Sequence, residues 1–139
     1  RNITLNTQNE GKTFPVPLVG TVSCGLPILA IENIEAYIPT DLHFLKNDPE
    51  DYFYLRASGD SMDKANINDG DLVLIHRQQS AQNNEFIVAL IDDQATIKKF
   101  IPGDGFIKLI PESNNPNHKP IILNEEFSIL GVVVRNFPI

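Results

Sequence analysis

From residue 52 to the end, the sequence is cut into short runs of β-branched and aromatic residues by turn-forming residues. No separating stretch reads as a helix of about 10–15 residues. The runs fall at 52–57, 71–76, 85–91, 94–101, 106–110 and 127–135. Between them lie Asn68-Asp69-Gly70, Asn83-Asn84, Asp92-Asp93, Pro102-Gly103-Asp104-Gly105 and Asn114-Asn115-Pro116-Asn117. Strands this closely spaced, without crossover helices, predict a mainly β, compact fold of largely antiparallel strands with short helical turns. The runs on either side of Asp92-Asp93 read as a hairpin.

The N-terminal part is different. Residues 1–13 are polar and read as a linker or flexible arm, leaving 14–139 as the folded domain. Residues 14–30 are apolar yet carry Pro15, Pro17, Pro27, Gly20 and Gly25. That composition forbids a helix and disfavours a central strand, so an extended stretch in a groove or across a surface is expected. Residues 31–37 suit a short helix ending before Pro39, and 41–46 a further turn.

Composition narrows the function. The 139 residues include 42% hydrophobic side chains, enough for one core, and no apolar run of membrane-spanning length. The formal charge of −7 comes without a Lys/Arg cluster, so any contact with DNA would need a region outside this chain. Arg1 in place of an initiator Met suggests a fragment or a trimmed product. A lone Cys24 excludes an internal disulfide and fits a reducing, cytoplasmic setting. Asp60, Asp63, Asp69 and Asp71 invite a calcium loop. Placing Gly70 at its sixth position, however, puts Ala65 and Ile67 where ligands belong. Zinc spacings and phosphate-binding glycine loops are also missing. Neither a metal nor a cofactor is expected.

Ser61 is the candidate for chemistry. It follows an apolar run within Ser58-Gly59-Asp60-Ser61-Met62, where a serine after a strand can expose its hydroxyl. The N–H groups of Asp60 and Ser61 are candidate oxyanion donors there. An ordinary turn has the same composition. Asp63 breaks a nucleophile elbow, and His43, His76 and His118 sit in undistinguished contexts. Ser61-Met62-Asp63-Lys64 fits S-x-x-K literally, but the companion motifs of penicillin-binding enzymes are absent. Lys98 and Lys99 lie in the otherwise apolar run Ala95-Thr96-Ile97-Lys98-Lys99-Phe100. One of them can point inward while the other reaches water, and a buried lysine loses its proton more easily. Two solvated lysines on an edge strand would look the same.

Taken together these segments resemble the C-terminal, self-cleaving domain of LexA-type repressors, shared with UmuD and phage repressors. The resemblance runs from about Phe14 to Arg135. It rests on Val22-Ser23-Cys24-Gly25-Leu26-Pro27, Ser58-Gly59-Asp60-Ser61-Met62, Asp69-Gly70-Asp71-Leu72-Val73, the Lys98-Lys99 run and Ile129-Leu130-Gly131-Val132-Val133. Gly25 and Ser61 are 36 positions apart, and Ser61 and Lys98 are 37. The resemblance implies a serine peptidase with Ser61 as nucleophile and Lys98 as general base. Its own Cys24–Gly25 bond would be the substrate, and residues 14–40 would contain the cleavage segment. It further implies a homodimer, stimulation by the RecA–single-stranded DNA filament in an SOS response, and operator binding through a separate N-terminal domain. A UmuD-like accessory of a damage-bypass polymerase is the alternative. A signal peptidase shares the serine–lysine pair but requires a membrane anchor, and a non-enzymatic β module would leave both residues incidental. The C-terminal run 127–134 is expected to present a strand edge to the dimer partner.

Overall fold

The computed structural model describes residues 11–20, 27–91, 94–123 and 128–138. Nine strands form one sheet: β1 (Thr13–Val19), β2 (Ile34–Asp41), β3 (Tyr52–Arg56), β4 (Leu72–Arg77), β5 (Phe86–Ile91), β6 (Gln94–Pro102), β7 (Ile107–Ile110), β8 (Ile121–Leu123) and β9 (Ser128–Phe137). Their order across the sheet is β2-β1-β3-β4-β9-β5-β6-β7-β8. Every neighbouring pair is antiparallel except β1 and β3, which run parallel and meet at Leu18 and Tyr54. Helical structure among the described residues is limited to 3₁₀ turns at Ile31–Asn33, Leu42–Phe44, Pro49–Asp51 and Asp63–Ala65. The mainly β, largely antiparallel expectation therefore holds. None of the described helices is long and apolar enough to cross a membrane.

The hairpin around 92–93 is present, with β5 and β6 in register from Ile91 opposite Gln94 to Phe86 opposite Lys99. Asp92 and Asp93 themselves lie outside the described residues.

Three expectations are corrected. The start of the proline-punctuated stretch is an interior strand, because Pro15 and Pro17 lie at positions that need no donor. Pro15 faces Pro39 across the β1–β2 ladder, and a non-hydrogen-bonded pair asks nothing of either nitrogen. On its other side β1 meets β3 only at Leu18, beyond both prolines. The helix expected at 31–37 is a single 3₁₀ turn followed by β2, whose extended backbone accommodates Pro39. Finally, the edge expected over 127–134 is confined to part of the run: β5 pairs β9 only from Ser128 to Val132 and β4 pairs it from Gly131 to Phe137, so from Val133 on one edge has no strand partner among the described residues. β9 lies between β4 and β5, and the outer strands are β2 and β8.

That placement of β9 organises the molecule. It joins a half made of β1–β4 to a half made of β5–β8, and among the described residues no other strand bridges the seam. The core cluster beneath the seam contains Val19, Phe53, Leu55, Met62, Ile67, Val73, Ile75 and Val88, with Ile28, Leu29 and Ile97 packed against it. Each fully buried side chain of this size contributes about 1.5–3 kcal/mol relative to exposure. The cluster thus locks the segment that follows β3 against β6.

Candidate active site

The chain leaves β3 at Arg56 and turns through Ser58-Gly59-Asp60 to Ser61. This loop is fastened at several points. Ala57 N–H donates to the Asp71 carbonyl, and Gly70 N–H donates back to the Ala57 carbonyl, both at 2.8 Å. Gly59 N–H donates to Asp69 Oδ1 at 2.8 Å, in a turn whose Gly59 has φ of 82°. That angle strains any residue with a Cβ. Just beyond Ser61, Met62 and Ile67 are 3% and 4% exposed, so both ends of the following turn are plugged into the core. Asp71, also buried, accepts from Asn68 N–H at 2.9 Å and from Asn136 Nδ2 at 3.1 Å.

The opposing wall is β6. Successive strand residues face opposite sides, and the two lysines divide accordingly. Lys99 Nζ pairs with Glu112 Oε1 at 3.1 Å. Lys98 is 9% exposed and donates from Nζ to Ser61 Oγ and to the Ile97 carbonyl, each at 3.1 Å. No carboxylate pairs with Lys98 among the described residues. Burial therefore acts unopposed on the ammonium and lowers its pKa from the ordinary 10.5.

A cleft of about 230 Å³ opens between these walls, bordered by Leu55, Ala57, Gly59 and Ser61 on one side and Thr96 and Lys98 on the other. β7 pairs with β6 only over Lys99 to Pro102, so among the described residues the stretch 94–98 has one backbone edge without a strand partner. An extended peptide can add to such an edge through main-chain hydrogen bonds. Of the two candidate oxyanion donors, Ser61 N–H has no partner among the described residues. Asp60 N–H also faces its own carboxylate.

The remaining candidates lie apart from Ser61 Oγ. Lys64 is exposed on the Asp63–Ala65 turn, and its N–H donates to the Glu112 carbonyl at 2.8 Å. His43 is exposed, and His76 is bonded to Gln78 Oε1 at 2.7 Å. His118 pairs with the carboxylate of Asp60, which Asn115 Nδ2 also reaches at 3.2 Å. These two hold the Asp60 carboxyl below the usual carboxylate range, His118 most of all. This latch between the segment after β7 and the Ser61 loop has no sequence signal, because its partners are 58 positions apart. The described residues include no group of three or more His, Cys, Asp or Glu able to hold a metal. Cys24 and Gly25 lie outside the described residues.

A serine hydroxyl bonded to a buried lysine that has no carboxylate partner among the described residues is an arrangement able to serve as nucleophile and base. The sequence pattern of the Peptidase S24-like family matches residues 17–134. This chain belongs to that family. It is 44% identical over 128 residues to a LexA repressor of Clostridium perfringens, covering 92% of this chain and 61% of the relative. A LexA repressor of Clostridium botulinum is 49% identical over 126 residues, covering 91% and 61%. One from Acetivibrio thermocellus is 46% identical over 132 residues, covering 95% and 60%. The chain thus spans about three fifths of the length of these relatives. Membership in the family makes it a serine-peptidase-type domain related to part of the LexA repressors.

Proposed function

We propose that residues 14–139 are the latent serine–lysine autoprotease domain of a LexA-type repressor, which cleaves its own Cys24–Gly25 bond. The observation that carries this reading is the 3.1 Å contact between Lys98 Nζ and Ser61 Oγ inside the cleft. Neutral Lys98 takes the proton of Ser61 as Oγ adds to the Cys24 carbonyl carbon. The N–H of Ser61, with a smaller share from Asp60, receives the developing oxyanion. The adduct collapses with rupture of the bond to Gly25, whose nitrogen takes the proton back from Lys98. Water deprotonated by Lys98 then hydrolyses the ester and frees Ser61, leaving fragments 1–24 and 25–139.

The tethered substrate explains why the domain is latent. Residues on the same chain have a high effective concentration, so the rate depends on how often the segment occupies the cleft and on how often Lys98 is neutral. Both factors improve when an apolar segment covers the lysine and excludes water. The RecA–single-stranded DNA filament is proposed to favour that covered state, and cleavage would inactivate a cytoplasmic, homodimeric repressor bound to operator DNA through a region outside this chain. The names of the relatives favour this repressor role over a UmuD-like one. Intact mass after incubation at high pH tests the proposal. The expected products are 1–24 and 25–139 from the wild type, and none from Ser61→Ala or Lys98→Ala. A wild type that stays whole alone and with RecA filaments, or a Ser61→Ala that is still cut, contradicts it.

A further inference from the structure

On either side of residues 21–26 the described chain resumes at Gly20 and at Pro27. Both stems are tied to one residue, Asn33, at the end of the Ile31–Asn33 turn. Gly20 N–H donates to the Asn33 backbone carbonyl at 2.9 Å. The Asn33 side chain donates from Nδ2 to the Pro27 carbonyl at 3.0 Å and to the Ile28 carbonyl at 3.3 Å. Two carbonyls facing the same end of the amide fix its orientation, because only the nitrogen can donate.

Asn33 is 1% exposed, and its Oδ1 has no hydrogen-bond partner among the described residues. A buried acceptor left unsatisfied is rare and costly. The hydrogen bonds that the Asn33 side chain makes among the described residues are its two donor bonds, and both run to the stem at Pro27 and Ile28.

The stems also connect to the cleft. Ile28 and Leu29 pack on the cluster that contains Met62 and Ile67, the two residues that anchor the turn after Ser61. A Cβ at Gly20 would come within 2.7 Å of Glu35 Oε1 and 3.0 Å of Glu35 Cβ, so this stem lies directly against Glu35. Glu35 in turn accepts from Arg56 at 3.2 Å, and Arg56 lines the cleft.

We infer that Asn33 is a positioning residue for self-cleavage: by clasping Gly20 and Pro27-Ile28 together, it fixes where both ends of the proposed substrate segment leave the core relative to Ser61. The inference rests on the serine–lysine reading above. Asn33 does not touch Ser61 or Lys98, so it acts on presentation of the substrate and not on the chemistry of the nucleophile.

The test separates these two properties in Asn33→Ala. Self-cleavage is followed by intact mass at alkaline pH. Competence of the nucleophile is followed by labelling with a fluorophosphonate, in which Ser61 Oγ bonds to phosphorus, fluoride leaves and Lys98 takes the hydroxyl proton. The expected result is a loss of at least tenfold in self-cleavage with labelling within twofold of the wild type. Self-cleavage at the wild-type rate overturns the inference. So does an equal fall in cleavage and labelling, which would mark Asn33 as a general structural residue. A wild type that is neither cut nor labelled defeats the serine–lysine reading itself, and this inference with it.

Discussion

Gly131 sits at the centre of the seam, where β9 is flanked by Arg77 of β4 and Val88 of β5. A Cβ added there would fall 2.5 Å from Ile75 Cγ2 and nearer still to the His76 carbonyl oxygen. Ordinary van der Waals contact needs about 1 Å more, and the obstacle is backbone that is already committed to the sheet. Overpacking costs about 1–3 kcal/mol where side chains can yield. With a rigid neighbour, Gly131→Ala is expected at the upper end, about 3 kcal/mol. Because urea dependence for small proteins is about 1–3 kcal/mol per molar, the unfolding midpoint should fall by at least about 1 M. The same displacement moves the β5–β6 hairpin, and Lys98 with it, away from the Ser61 loop on the other half. A misplacement of about 1 Å costs roughly a hundredfold in rate, so self-cleavage should slow by that order. Ile122→Ala on β8 is the control: Ile122 is 62% exposed, and such surface changes usually stay within about 0.5 kcal/mol. A Gly131→Ala protein within about 0.5 kcal/mol of the wild type would refute the claim that β9 rigidly couples the two halves.

Other expectations follow from the same geometry. Lys98→Met should be more stable than the wild type at pH 7. Folding lowers the pKa of Lys98 below 10.5, so between the lowered value and 10.5 the unfolded chain binds more protons and wild-type stability rises with pH. The advantage of Met should shrink as pH climbs through that window, and urea midpoints at pH 7 and 9.5 measure it; a Met variant weaker at pH 7 contradicts the burial argument. Lys99→Ala and Lys64→Ala should keep self-cleavage, since Lys99 is paired with Glu112 and Lys64 is exposed; a dead Lys64→Ala would favour the S-x-x-K reading instead. Light scattering at tens of micromolar should give twice the 15.5 kDa chain mass. A dimer contact through β9 is expected at residues 133–137, whose β5-side edge has no strand partner among the described residues.

The sequence made the strands from residue 52 onward legible because turn residues and β-branched runs act locally. The strand order was not legible. Nothing in 128–137 signals that it inserts between β4 and β5, because that choice depends on how the two halves pack. β1 and β2 were misread because proline is usually a breaker, and only the cross-strand register of Pro15 with Pro39 shows why it is harmless. At the site, alternation along the strand narrowed the base to Lys98 or Lys99, and the family resemblance selected Lys98. The sheet places Lys98 beside Ser61 and Lys99 beside Glu112. Asn33 escaped notice because it falls in the stretch 31–37 that reads as a short helix; its burial arises from the stems that fold over it.

The dependence of self-cleavage rate on pH tests the central claim, a lysine base acting on Ser61, most directly. A free lysine of pKa about 10.4 is neutral in only roughly one molecule in 2,500 at pH 7. Burial of Lys98 raises that fraction without removing the dependence. The first-order rate measured from about pH 6 to 11 should therefore climb about tenfold per pH unit and level off below the ordinary lysine pKa. A flat profile, or a maximum near the pKa of histidine, would contradict it.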